Sequence, residues 1–362
     1  MHEIGLAKHE LDTPTLWVDL ACLERNITYL AAHFKAAGVD WRPHTKGIKT
    51  PAIAHKLIAA GAIGITCAKL GEAEVMAAAG IRDILVANQV VGRPKVTRLV
   101  NLRPHANVKV AVDSLHNVAE IGVAAAAKGV VIGVLIEVNT GMNRAGVEPG
   151  QPTLDLARQI SVTPGVRFMG LMAWEGHTLE STDLAEKRQQ IEHSVGLLTA
   201  TAQRCRDAGL PVEIVSAGGS GTYSVTPFLA GVTEIQAGGA IFCDQTYQKW
   251  GVDLEPALFI QCTVTSRPAP TRIITDAGYK TATKGYLPPR PIGVENIKTI
   301  ALSAEHGIIT LDAPNTAVKV GDTLDLIVGY GDATVFLHET IYGIRDGIVE
   351  TAWAVQGRGK LR

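Results

Sequence analysis

The segment Arg42-Pro43-His44-Thr45-Lys46-Gly47-Ile48-Lys49 puts two lysines and an arginine within eight residues. An amine beside other cations and partly withdrawn from water loses its proton more easily, which makes Lys46 a candidate nucleophile. The same cluster could equally clamp a phosphate. A second segment, Thr140-Gly141-Met142-Asn143-Arg144, offers the cation Arg144 on a turn that glycine permits. A third, Ser216-Ala217-Gly218-Gly219-Ser220-Gly221-Thr222, has successive glycines whose backbone N–H groups can converge on an anion, with hydroxyls at Ser220 and Thr222. Ala237-Gly238-Gly239 supplies further amides.

These groups need a scaffold, and the pattern around them predicts one. The apolar runs Leu16–Asp19, Val39–Pro43, Ile63–Thr66, Ile84–Ala87, Val108–Val112, Val131–Val138, Arg167–Ala173, Val212–Ser216 and Glu234–Gln236 read as strands, several of them continuous as in sheets buried on both faces. Leu20–Ala37, Pro51–Ala60, Leu70–Ala79, Leu115–Lys128, Thr153–Ile160 and Ser181–Ala208 read as helices. Setting Leu16–Asp19 aside leaves eight βα units, the number that closes a barrel. An open doubly wound sheet is the alternative; no GxGxxG follows the first strand, which weakens a dinucleotide-binding version of it. In the barrel, Lys46 follows strand one, Arg144 strand five, Gly218–Thr222 strand seven and Gly238-Gly239 strand eight. All stand at carboxyl ends of strands, where barrels gather function. An amine for an aldehyde, amides for a phosphate and a cation for a ring oxygen describe a site for pyridoxal 5′-phosphate (PLP).

After Trp250 the texture changes to short β-type runs, Phe259–Thr265, Arg272–Asp276, Ile297–Leu302, Ile308–Leu311, Thr323–Leu326, Thr334–Leu337 and Val349–Trp353, separated by Pro/Gly turns. The expected domains are a PLP-binding barrel over 15–250 and an all-β domain over 251–362, to which residues 1–19 are placed to add a strand. Of the 362 residues 46% are hydrophobic, enough for a large core, and 34 basic residues face 35 acidic ones. That balance leaves no footprint for nucleic acid or an anionic membrane. No apolar run approaches a membrane span, and the first residues lack a signal-peptide layout. Five scattered cysteines without a CxxC pair indicate neither a disulfide framework nor a thiolate zinc site. The expectation is a soluble, cytoplasmic protein with no nucleic-acid or membrane partner.

Over nearly its whole length the chain resembles the D-threonine aldolase and D-serine dehydratase group of alanine-racemase-like PLP enzymes. The resemblance rests on Thr13-Pro14-Thr15, Arg42–Lys46, Ala68-Lys69-Leu70-Gly71-Glu72-Ala73, Thr140–Arg144, Gly218–Thr222 and Glu305-His306-Gly307. It implies an α/β fold, an N-terminal (β/α)8 TIM barrel of alanine-racemase type plus a C-terminal all-β domain, in a homodimer acting on a small amino acid. By resemblance, Lys46 is the lysine that carries PLP and Arg144 the cation near its phenolic oxygen. Gly219, Ser220, Gly221 and Thr222, with Gly238 and Gly239, match the phosphate loops. Gln236 falls near the position from which racemases direct an arginine at the pyridine nitrogen; an amide there polarises the ring without a full charge.

The departures bear on mechanism. Metal-dependent members carry His-x-Cys or His-x-Asp in the C-terminal domain, where this chain reads Gly329-Tyr330-Gly331-Asp332. Asp332 is then the matching ligand for a divalent metal, Mg or Mn, while a phenol with a pKa of about 10 is a poor one. Trp174 stands where relatives commonly have tyrosine; it can stack beside the cofactor but donates no phenolic proton. Ile48 replaces a second histidine of the lysine loop. Glu175 and His177 stand where they can supply acid–base groups, and Asp244 and Tyr247 at the mouth of the pocket. The implied activity is that of a lyase on D-β-hydroxy-α-amino acids. If the Cα–Cβ bond is aligned and Tyr330 or His177 takes the hydroxyl proton, the outcome is retro-aldol cleavage to glycine and an aldehyde. If Lys46 takes the α-proton and hydroxide leaves, it is β-elimination, as from D-serine or D-3-hydroxyaspartate. Expelling hydroxide needs strong electrophilic help, so the altered metal pair favours the aldol outcome. Racemisation, a phosphosugar barrel enzyme and a non-catalytic PLP carrier are the other readings; the long segment after Trp250 disfavours the last.

Overall fold

The computed structural model describes residues 3–283 and 285–362. The chain divides into two compact units. The first comprises Leu30–Lys46, Ile53–Gly238 and Gly359–Arg362; the second comprises the residues up to Tyr29, Gly47–Ala52 and Gly239–Arg358. In chain order the strands are β1 (Thr15–Asp19), β2 (Asp40–Trp41), β3 (Ile65–Cys67), β4 (Asp83–Gln89), β5 (Asn107–Val112), β6 (Ile132–Glu137), β7 (Val166–Met172), β8 (Ile214–Ala217) and β9 (Glu234–Ile235).

Strands β2 to β9 form one sheet in the order β2-β9-β8-β7-β6-β5-β4-β3, parallel throughout. A parallel bridge between His44 and Thr66 closes it: Thr45 N–H donates to the Thr66 carbonyl at 2.7 Å and Thr66 N–H to that of Pro43 at 2.9 Å. The eight-stranded barrel read from the sequence is what folds. Alternation along the strands separates two cores. Ile84, Val86, Val108, Val110, Val134 and Ile136 pack with helix residues such as Leu99, Val118 and Ile121. Leu85, Ala111, Leu135 and Met172 make a separate cluster of their own.

Charge is also buried here. Arg42, 2% exposed, donates Nε to Glu234 at 2.7 Å and pairs with Asp83, which takes Lys109 Nζ at 2.9 Å. A guanidinium this deep persists only because carboxylates flank it.

Local chemistry sets the helix limits. Asp183 caps Leu184–Asp207 by accepting from the N–H groups of Ala185 and Glu186, so the helix starts later than the periodicity suggests. Arg93–Leu102 was not expected as a helix; it is too polar for a broad apolar stripe, and Pro in its first turn is the signal that marks it. None of the described helices is long and apolar enough to cross a membrane.

The second unit carries β10 (Leu258–Ala269), β11 (Arg272–Thr275), β12 (Arg290–Pro291), β13 (Ile297–Leu302), β14 (Gly307–Leu311), β15 (Thr323–Ile327), β16 (Thr340–Arg345) and β17 (Ile348–Ala354). The amino-terminal strand β1 belongs to this sheet, antiparallel to β10 and parallel to β16. Trp17 anchors it, stacked on Phe259 at 4.5 Å between ring centroids. Thr334–Leu337, expected as a strand, is helical instead: Gly331–Thr334 is a turn of α-helix that runs into a 3-10 turn at Val335–Leu337. Thr334 Oγ1 donates back to the Tyr330 carbonyl at 2.8 Å, and Asp244 accepts the Gly331 N–H at 2.6 Å. A three-residue apolar run carries no period that could have told these states apart.

Candidate active site

Lys46 follows β2 and is half-buried. The residues before it are laced to the segment after β9. His44 N–H donates to the Gln236 carbonyl at 3.0 Å, and Trp41 Nε1 to that of Ala237 at 2.7 Å. Lys46 N–H in turn donates to His44 Nδ1 at 3.3 Å. Gly238 lies so close that a Cβ there would sit 2.1 Å from the His44 carbonyl oxygen. Gln236 is 7% exposed, and its Nε2 donates to Ser216 Oγ at 2.9 Å. Ser216 Oγ donates to Glu234 at 2.8 Å, and the other Glu234 oxygen holds Arg42. The buried ion pair therefore fixes which way the Ser216 hydroxyl points, and through it the Gln236 amide.

The glycine-rich turn after β8 is held from below by one carboxylate. Glu175, 1% exposed, accepts from Gly218 N–H at 3.2 Å, Thr222 Oγ1 at 2.8 Å and Thr226 Oγ1 at 2.5 Å. Expected as an acid–base group, it accepts three hydrogen bonds from the loop and the turn after it. Trp174 covers the turn: a Cβ on Gly219 would lie 2.6 Å from its ring, so only glycine fits. Ser220, Gly221 and Thr222 are buried as one 3-10 turn.

His177 packs its ring on Gly141, and Nε2 meets Ser194 Oγ at 3.2 Å. Its buried Nδ1 and the Oγ1 of Thr140, a residue 3% exposed, have no hydrogen-bond partner among the described residues. Arg144, its side chain 56% exposed, reaches Glu137 at 3.4 Å, and Gln89 donates to the other Glu137 oxygen at 2.6 Å.

In the second unit, Tyr330, Asp332 and Tyr247 come together. Tyr330 Oη donates to Asp332 Oδ2 and Tyr247 Oη to Oδ1, each at 3.1 Å. A Cβ on Gly47, which follows Lys46, would meet Asp332 Oδ1 at 2.1 Å; one on Gly239, which follows Gly238, would meet Tyr247 Oη at 2.2 Å. Burial, then the neighbouring Asp332, raises the Tyr330 and Tyr247 phenols above their ordinary range, so both are neutral donors. Burial pushes the Asp244 carboxyl up to about 8 against its Gly331 and Tyr247 N–H donors, with Asp332 adding to the rise. Tyr286 and Trp250 pack edge-on against Tyr330, at 5.1 and 5.9 Å between ring centroids.

The first unit fits PLP by the chemistry of its donors: a half-buried amine, a buried glycine-rich turn with hydroxyls, a buried neutral amide and the unpartnered Thr140 hydroxyl. A divalent metal fits less well. Beside Asp332 stand two proton-bearing phenols rather than imidazole or thiolate, and the described residues contain no group of three His, Cys, Asp or Glu able to hold an ion. Sequence reasoning placed Tyr247 only at the pocket mouth, and it missed the loop-holding role of Glu175 and the Gln236–Ser216–Glu234 chain. A carboxylate 43 residues before the Gly-rich turn that it holds is invisible in linear spacing.

Comparison with known proteins gives concordant matches. Residues 18–246 match the family model described as alanine racemase, N-terminal domain, and residues 257–344 the one described as putative serine dehydratase domain. The chain is 36% identical to a D-threonine aldolase from Arthrobacter sp over 356 residues, 97% of this chain and 94% of that one. It is 32% identical to a 3-hydroxy-D-aspartate aldolase from Paracoccus denitrificans over 372 residues, 98% and 94% of the two chains. Among solved structures, the D-threonine aldolase from Filomicrobium marinum superposes with a TM-score of 0.96 at 33% identity, covering 99% of each chain.

Proposed function

We propose that this chain, which belongs to the alanine-racemase-like family of PLP-dependent lyases, cleaves D-β-hydroxy-α-amino acids by a retro-aldol reaction to glycine and an aldehyde. The observation that carries this reading is the lysine at the end of the first barrel strand, tied through His44 to Gln236 and followed directly by Gly47 against Asp332. Full-length similarity to two aldolases supports the substrate class.

Bound PLP would supply an acceptor for the electron pair released at the substrate's α-carbon. Lys46 would hold the cofactor covalently. The Gly219–Thr222 turn, with Gly238 and Gly239, would bind its phosphate through backbone N–H groups and hydroxyls. Trp174 would flank the ring, Gln236 would face the ring nitrogen and Arg144 the phenolic oxygen. The β-hydroxyl proton needs an acceptor. The Tyr330–Asp332 pair is the better placed in chemistry, since Asp332 is a carboxylate with a donor already beside it; His177 is the other candidate. A cytoplasmic homodimer completes the reading.

The test is direct. Protein reconstituted with PLP and given D-threonine should release glycine and acetaldehyde, with L-threonine inert. Borohydride reduction should fix the cofactor on the peptide containing Lys46. Keto acid and ammonia in place of glycine would instead identify β-elimination. Light scattering checks the dimer.

A further inference from the structure

We infer that this chain manages the substrate's β-hydroxyl without a divalent metal, through the Asp332 carboxylate gripped between Tyr330 and Tyr247; the inference rests on the lyase reading above. Both oxygens of Asp332 accept a phenolic proton, from Tyr247 on Oδ1 and Tyr330 on Oδ2. A metal bound there would meet, beside a carboxylate whose oxygens each already accept a phenolic proton, phenol oxygens that still carry their protons and offer a divalent cation little. The neighbouring carboxylate is no substitute. Asp244 is fully buried and spends its oxygens on backbone N–H groups, Oδ2 on Gly331 and Oδ1 on Tyr247. Tyr330 cannot readily swing aside either, because Tyr247, Trp250 and Tyr286 surround its ring at centroid distances of 5.1 to 6.1 Å.

The arrangement supplies what the cleavage needs in other form. The substrate's β-hydroxyl gives its proton to Asp332, and its O–H electron pair becomes the π bond of the aldehyde. The Cα–Cβ bond breaks and its pair goes to the α-carbon, which later regains a proton as glycine forms. Tyr330, released from Asp332 as that oxygen is protonated, donates its O–H to the oxygen of the departing aldehyde. A neutral hydrogen-bond donor thus takes the place of a Lewis acid. Such a donor suffices for an aldol cleavage, whose leaving group is a carbon. It is weak help for expelling hydroxide, so the same geometry favours glycine over keto acid.

Three measurements on PLP-loaded protein test this. Elemental analysis should find substoichiometric metal, Mn²⁺ should leave the melting temperature unchanged, and a chelator should not slow glycine formation. Tyr330→His, which restores a His-x-Asp pair, should bind Mn²⁺ by calorimetry and gain a melting shift from it. Tyr330→Phe should lose about 10²-fold in kcat, the scale of one proton-transfer group, while staying indifferent to metal. One tightly held metal per chain in the unmodified protein, or a Mn²⁺-induced melting shift that Asp332→Asn abolishes, would overturn the inference. If no substrate yields glycine, the lyase reading fails by itself, and the metal content and melting data still decide this one.

Discussion

Glu175 should control how tightly the chain holds PLP while never touching it. Its carboxylate takes three donors, the Gly218 N–H and the hydroxyls of Thr222 and Thr226, with water excluded. In Glu175→Gln the amide oxygen can keep both hydroxyls, which approach the same carboxylate oxygen, but the NH2 group then faces the Gly218 N–H. One hydrogen bond to a charged acceptor is lost and a donor is set against a donor, a cost of about 2–3 kcal/mol. Glu175→Ala strands all three donors; the Thr222 hydroxyl has a second outlet at the Gly219 carbonyl, 3.4 Å away. That relief keeps the expected cost at about 3–5 kcal/mol. If the loss falls on the ordered glycine turn, 2–3 kcal/mol corresponds to PLP binding weaker by about 30- to 150-fold. The assay is titration of cofactor-stripped protein with PLP, followed by the visible band, beside a thermal melt. Glu175→Gln binding PLP within about twofold of the parent, at an unchanged melting temperature, would refute the reasoning. Lost turnover with intact PLP affinity would instead return Glu175 to an acid–base role.

Other outcomes follow from the same geometry. Lys46→Ala should lose borohydride-fixable cofactor and at least ~10³-fold in kcat, the combined scale of a nucleophile and a proton-transfer group, as read by spectrum and glycine assay. Glu234→Ala leaves the Arg42 guanidinium buried with one carboxylate fewer and should cost about 3–5 kcal/mol in denaturant unfolding; a loss below ~1 kcal/mol would show that the pair is dispensable. His338 is half-buried and donates to the Thr281 carbonyl at 2.8 Å, and its partial burial holds its pKa below the ordinary histidine value. The folded state thus prefers the neutral ring, so this contribution is fully present above about pH 6.5 and is lost as the pH falls from there through the lower folded pKa. His338→Gln should flatten that acid-side decline relative to the parent when melting is followed from neutral pH downward; parallel curves would count against it.

Much of the barrel was legible in the linear chain because its signals are local. Continuous Val/Ile runs such as Val108–Val112 and Ile132–Glu137 announce strands covered on both sides, and the alanine-rich stretches between them announce covering helices. Lys46, Arg144 and the Gly218–Thr222 turn could be singled out because each lies just past such a run. The failures have an equally local cause. Arg93–Leu102 is polar on most of its surface, and Val335–Leu337 is apolar but too short to show a period, so tertiary context overrode both patterns.

Sequence by itself determined the residue types available for chemistry, above all an amine after the first strand and a tyrosine two residues before Asp332. Tertiary structure alone decided their partners. Glu175 accepts from the glycine turn, Tyr247 closes on Asp332 from 85 residues away, and Gln236 takes its orientation from an arginine it never contacts. The reason is physical. Strand and helix periods depend on neighbours within a few residues, whereas a buried hydrogen bond is satisfied by whatever donor the fold brings within about 3 Å, and no spacing along the chain encodes that.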